Sequence, residues 1–130
     1  MLSVKDLVED KTLNSIVNKI LENREFVDEC VEKIRNKVLN DNKIDLNDIP
    51  NLICIVSLIL NNKPKIKIDG NTMKEIIKLI IIRLLSEIKY INLEDEIPML
   101  PEQEKSLDMS LELLGISLIV TKKYCKCFNI

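Results

Sequence analysis

Cys125 and Cys127 stand one residue apart in the run Lys122-Lys123-Tyr124-Cys125-Lys126-Cys127-Phe128-Asn129-Ile130. Thiols at this spacing can form a redox pair, ligate a metal or carry a lipid. The four residues from Cys127 fit the bare C-a-a-X frame of prenylation, and Cys125 with the neighbouring lysines supplies a second membrane signal. Asn129 departs from the aliphatic residue of that frame, and a terminal Ile is not a favoured choice. A tetrahedral metal site needs four ligands, and Cys125 and Cys127 have no further cysteine nearby and no histidine anywhere in the chain, so a complete site is not expected. The expectation is therefore a tail whose Tyr124, Phe128 and Ile130 cover one end of the fold, with Cys125 and Cys127 as lipidation candidates. Cys30 and Cys54 lie in helical apolar patterns and read as small buried hydrophobes.

Carboxylates offer the next chemistry. The run Lys43-Ile44-Asp45-Leu46-Asn47-Asp48 resembles the exit half of an EF-hand loop, with Asn42 at the turn, Asp45 as a ligand and Asp48 closing. Lys37 and Leu39 would then occupy the first and third ligand positions, which calcium cannot use. A capping role is expected instead, in which Asp45 or Asp48 caps the next helix, Pro50 sits in its first turn, and Ile44 and Leu46 anchor the loop. Glu94, Asp95 and Glu96 form an acidic cluster that could do acid–base or magnesium chemistry in a pocket. Without a glycine-rich turn or a positioned lysine beside them, they read as a solvated loop.

Composition narrows the choice further. No histidine means no commonplace general base and no commonplace metal ligand. Two glycines, Gly70 and Gly115, cannot build a phosphate cradle. Nineteen basic residues against twenty-one acidic ones leave a net charge of −2, which argues against a protein that neutralises many phosphates. The expectation is a protein that is not an enzyme and takes no cofactor, metal or nucleic acid, and no small-molecule substrate is identified. Nothing at the start reads as a signal peptide, so a reducing, intracellular compartment is expected, with incorporation in a viral particle as one setting.

The elements that must position these residues are helical. In the run 48–62, Ser57 is the lone polar side chain between Leu52 and Leu60, so a helix there has no solvent face and must be buried. Upstream, Ser3 with Asp6 opens a short helix. Leu13, Ile16, Val17, Ile20 and Leu21, then Val27, Cys30, Val31, Ile34 and Val38, follow helical spacing. Arg24 interrupts that period, leaving open one long helix or two joined near Asn23.

Downstream, 65–68 alternates in the manner of a strand, and its sole nearby partner is 44–46. A second apolar helix over 72–89 exposes Lys74, Lys78 and Arg83. The acidic connection over 92–101 should turn Ile97, Met99 and Leu100 back on the core. A last helix runs from 101 to about 123, with Leu107, Leu111, Leu114 and Leu118 along one seam and Leu113 and Val120 beside it. Ser106, Ser110, Ser117 and Thr121 mark a second stripe, read as a solvated edge in preference to a line of close helix approach. Both apolar runs are too short or too interrupted to span a membrane.

These patterns predict a single all-α domain over 1–130, a compact bundle of about five helices around a buried central hairpin formed by 51–61 and 72–89. In this reading a minimal two-stranded ribbon between its loops pairs 44–46 with 65–68. The expected function is a structural or protein-interaction component, a small subunit of a larger assembly such as a virion or an intracellular complex. A protein partner or a homo-oligomer follows from the excess of apolar helix surface, with Leu52, Ile55, Ile59, Ile82, Leu107, Leu111, Leu114 and Leu118 as contact candidates. The alternatives are a membrane-associated protein, held by the cysteine tail or the central hairpin, and a degenerate EF-hand-like regulator.

Overall fold

The computed structural model describes residues 3–39, 43–61 and 70–116, which form six α-helices with no strand among them. The all-α bundle expected from periodicity is what the chain forms.

Short polar side chains set the first boundaries. The Ser3 hydroxyl accepts from the Asp6 amide at 3.3 Å and starts α1 (Val4–Glu9). Asp10 ends α1 and caps α2 (Lys11–Leu21), its Oδ1 accepting from the Leu13 amide at 2.9 Å. Asn23 accepts from the Phe26 amide at 3.2 Å and starts α3 (Arg24–Lys33). The apolar period of 12–39 is thus carried by two helices broken at Asn23, because each cap satisfies an amide that an unbroken helix would have bonded internally. α3 then widens into a π-helical turn (Ile34–Val38), closed by the Leu39 amide on the Ile34 carbonyl at 2.8 Å. That turn keeps Ile34 and Val38 both buried.

A 3-10 turn (Leu46–Asp48) leads directly into α4 (Ile49–Asn61). It carries the reciprocal cap expected of Asp45 and Asp48. Asp45 Oδ1 accepts from the Asn47 amide, and Asp48 Oδ2 accepts from the Asp45 amide, both at 2.9 Å. Ile44 anchors the loop as expected, but Leu46, the first residue of the tight turn, is 47% exposed. The described half of the expected ribbon is this turn and not a strand. Its other half, 65–68, lies outside the described residues.

α5 (Gly70–Glu87) is the hub, packing against every other α-helix of the fold. All side chains over 76–82 are buried, Ile82 among them, including the charged Lys78. Lys78 is therefore not on an exposed edge, and Lys74 and Arg83 are only partly exposed. Each has acquired an oxygen partner from a neighbouring helix, which an isolated helix cannot show. α5 ends in a Schellman motif, with the Lys89 amide on the Ser86 carbonyl at 3.0 Å and the Tyr90 amide on the Leu85 carbonyl at 2.9 Å. Lys89 adopts φ 63° to make that turn.

α6 (Pro101–Ile116) makes its most extensive contact with α4. Ser106 and Ser110 are fully buried, so the serine stripe is a line of close approach over its described part and not a solvated edge. Their hydroxyls bond the carbonyls of Glu102 and Ser106 at 2.9 and 2.8 Å, which removes the penalty of burying them. Ser57 on α4 does the same with Ile53 at 2.9 Å. Ser117, Thr121, Leu118, Val120 and the cysteine tail lie outside the described residues.

Candidate functional site

The connection between α5 and α6 spans 88–100 and carries a run of exposed residues over 94–97. Asn92 shapes it through an Asx turn, Oδ1 accepting from the Glu94 amide at 2.9 Å, while its carbonyl accepts from Asp95 at 3.1 Å. The turn drives Glu94, Asp95 and Glu96 into solvent. Ile97 follows them out at 68% exposure, Met99 turns in at 4%, and Leu100 turns out again at 61%. Only Met99 of the three residues expected on the core reaches it. Pro98 and Pro101 flank it and restrict the backbone on either side.

The loop is tethered at both ends. Gln103 Oε1 accepts from the Leu100 amide at 2.9 Å, and its Nε2 donates to the Tyr90 hydroxyl at 3.1 Å. One side chain thus closes the first turn of α6 and ties it to the end of α5. Recesses lie on both flanks and share Asp95 and Pro98. One, of about 500 Å³, includes Ser86, Lys89 and Tyr90, and the other, of about 440 Å³, includes Lys5, Glu9 and Leu93. The arrangement offers contact: three carboxylates beside two apolar side chains on an anchored loop, with a lysine in each flank.

Behind this loop, the α5–α6 seam is ionic. Lys78 Nζ lies 2.7 Å from Glu104 Oε2 and 2.8 Å from Asp108 Oδ1, and Lys74 lies 3.5 Å from Glu112. Asp108 Oδ1 is close enough for charge attraction to Lys78 but makes no hydrogen bond of its own. Glu104 accepts one from Lys78. On the far side of α5, Arg83 donates to Asn14 Oδ1 at 3.1 Å and to Asn18 Oδ1 at 3.0 Å. These contacts hold α6, and with it the loop, in a set position relative to α2.

The structure places Leu52, Ile55, Ile59, Ile82, Leu107 and Leu111 in the chain's own core, each at most 2% exposed. Leu114 lies within α6, and Leu118 falls outside the described residues with Cys125 and Cys127. The large apolar side chains that remain outside are Leu46, Ile97, Leu100, Met109 and Leu113 among the described residues. Leu113, expected beside the α6 seam, is 43% exposed. Sequence reading missed Ile97 and Leu100 because a non-periodic segment has no face to assign. Their bracketing by Pro98 and Pro101 after an acidic run was the available signal.

Cys30 is a free thiol, fully buried, and burial with the nearby Glu29 charge pushes its pKa up to about 12. It behaves as the small hydrophobe expected. Cys54 does not, because it is half-buried and disulfide-bonded. Asp45 and Asp48 are committed to the reciprocal cap. No group of three or more histidine, cysteine or acidic side chains among the described residues is placed to hold a metal ion. Among them, too, no helix is long and apolar enough to cross a membrane. No family model, curated protein or solved structure matches this chain.

Proposed function

We propose that this protein is a non-enzymatic interaction component, a small subunit that docks on a protein partner through the α5–α6 connection. The observation that carries this reading is the exposure of Ile97 and Leu100, 68% and 61%, on a loop tethered at both ends. A tethered loop presents these side chains at low entropic cost, since little freedom is left to lose on binding. The carboxylates of Glu94, Asp95 and Glu96 surround them, so the fitting partner surface is an apolar recess with a basic rim. Burying Ile97 and Leu100 contributes about 1.5–3 kcal/mol each. Micromolar affinity needs roughly 8 kcal/mol after binding costs, so the acidic rim and the flanking recesses belong to the same contact.

The test is the native mass of the protein isolated from its own source, followed by the same measurement on an Ile97→Asp, Leu100→Asp variant. The expected result is a complex that the variant fails to form while keeping its helical circular dichroism and melting temperature. A monodisperse monomer from the source, with nothing retained in pull-downs, would overturn the reading. So would a variant that still assembles.

A further inference from the structure

We infer, on the docking role proposed above for the α5–α6 connection, that its partner is a second copy of this chain, which receives Ile97 in the recess between α3 and α4 and sets Lys33 and Lys37 against Glu94, Asp95 and Glu96. The surface that this loop calls for, an apolar recess with a basic rim, is present on the chain itself. A recess of about 160 Å³ opens where α3 and its π-helical turn meet α4, lined by Lys33, Lys37, Asn51, Cys54 and Ile55. Ile55 is buried and Cys54 half-buried, and together they give it an apolar lining. A cavity of about 150 Å³ admits benzene, so a branched aliphatic side chain such as that of Ile97 fits this one. The Asn51 side-chain amide donates to the Lys37 carbonyl at 3.1 Å and fastens the rim to α4. The receiving surface, like the loop, therefore loses little freedom on binding.

Charge decides how two copies meet. Among the described residues neither lysine of the recess has an ion-pair partner, and neither do Glu94, Asp95 and Glu96. Two loops brought face to face would set carboxylate against carboxylate, which repels. Loop against recess sets the same carboxylates against two ammonium groups, and a net charge of −2 leaves little overall repulsion between copies. This recess shares no lining residue with the two that flank the loop. Each chain thus gives its loop to one neighbour and its recess to another. The contact is heterologous, and it builds a closed ring or an open filament in place of a two-fold dimer.

The test begins with sedimentation of the purified full chain, alone, over a concentration series. Assembly that grows with concentration is expected. A monomer throughout overturns the inference, and if a complex from the source still depends on Ile97 and Leu100, the docking role of the loop stands without it. Two charge reversals are then compared, Glu94→Lys with Asp95→Lys and Glu96→Lys on the loop, and Lys33→Glu with Lys37→Glu on the recess. Each alone meets like charge and should associate about a hundredfold more weakly, with helical circular dichroism and melting temperature unchanged. Mixed in equal amounts the two should assemble again, because a reversed loop meets a reversed recess. Either reversal assembling like the unaltered chain, or a mixture that stays monomeric, overturns the assignment of the recess.

The Ile97→Asp, Leu100→Asp chain is last mixed with the recess reversal, which leaves one working loop and one working recess between them. A species of two chains is expected. Growth beyond two chains overturns the heterologous arrangement. If the Ile97→Asp, Leu100→Asp chain assembles by itself, the docking role of the loop fails as well.

Discussion

Lys78 Nζ lies 2.7 Å from Glu104 Oε2, although the lysine is 1% exposed and sits in the most apolar stretch of the hub helix. The two partners do not share the same environment. Side-chain exposure is 28% for Glu104 and 36% for Asp108, so water reaches the acids far more readily than the amine.

That asymmetry sets the cost of breaking the seam from either side. Removing the acids with Glu104→Gln and Asp108→Asn takes two carboxylates from beside a buried cation and should cost about 3 kcal/mol. Lys78→Met leaves two carboxylates with access to water and places an apolar side chain of similar length in the core, so a change within about 1 kcal/mol is expected. Urea denaturation of both variants checks this. Equal losses would mean the cluster is not organised around the lysine.

Asn14 joins three elements. Its side-chain amide shares two N–H groups among the carbonyls of Leu7, Val8 and Asp10, at 3.2, 3.0 and 2.7 Å, while its oxygen accepts from Arg83. Asn14→Asp keeps the acceptor for Arg83 and deletes the donor to the end of α1. The expected outcome is a loss of about 1 kcal/mol from the deleted side-chain hydrogen bonds, with faster hydrogen exchange in α1 and little change in α5. Uniform acceleration across both helices would count against this division of roles.

Cys30 ties stability to alkaline pH. Its folded pKa of about 12 lies above the ordinary 9.0, raised first by burial and then by Glu29, with Lys33 acting the other way. The folded state therefore keeps the proton where the unfolded state releases it. The associated stability is full below pH 9.0 and is lost as pH rises toward about 12, at no more than about 1.4 kcal/mol per pH unit. Unfolding of Cys30→Ala measured from pH 8 to 10.5 should start from a lower stability and show a shallower alkaline decline. A parallel decline in both proteins would place the effect elsewhere.

Lys89 makes the left-handed turn that ends α5 with φ 63°. A side chain in that region costs about 1 kcal/mol that glycine avoids, and glycine's larger unfolded-state entropy offsets part of the gain. Lys89→Gly should therefore raise stability by about 0.5 kcal/mol, seen as a higher urea midpoint with an unchanged slope.

Much of the fold is readable from local patterning. Ser3 announces a helix start because a short side-chain oxygen satisfies a free amide, a relationship contained within three residues that Asp10 and Asn23 repeat at the next two helices. Asp45 and Asp48 read as capping residues for the same reason. The loop site is legible only in part. Its acids read as solvated, but the outward direction of Ile97 and Leu100 depends on Pro98, Pro101 and the Gln103 tether to Tyr90, which acts across the α5–α6 junction.

The sequence by itself determined that this chain is helical, that its core is aliphatic, and where several helices begin, because propensity, periodicity and capping act over one or two turns. Tertiary structure decided which helix is the hub and what each polar side chain in an apolar run is for. The run 48–62 has the purer composition, yet α5 touches every other α-helix, since a period shows that a face must be covered and not which helix covers it. Lys78 and the buried serines of α6 follow the same logic. Each reads as an exposed position on its own helix, and each is buried because a partner oxygen, from α6 for the lysine and from the preceding helical turn for the serines, makes burial tolerable.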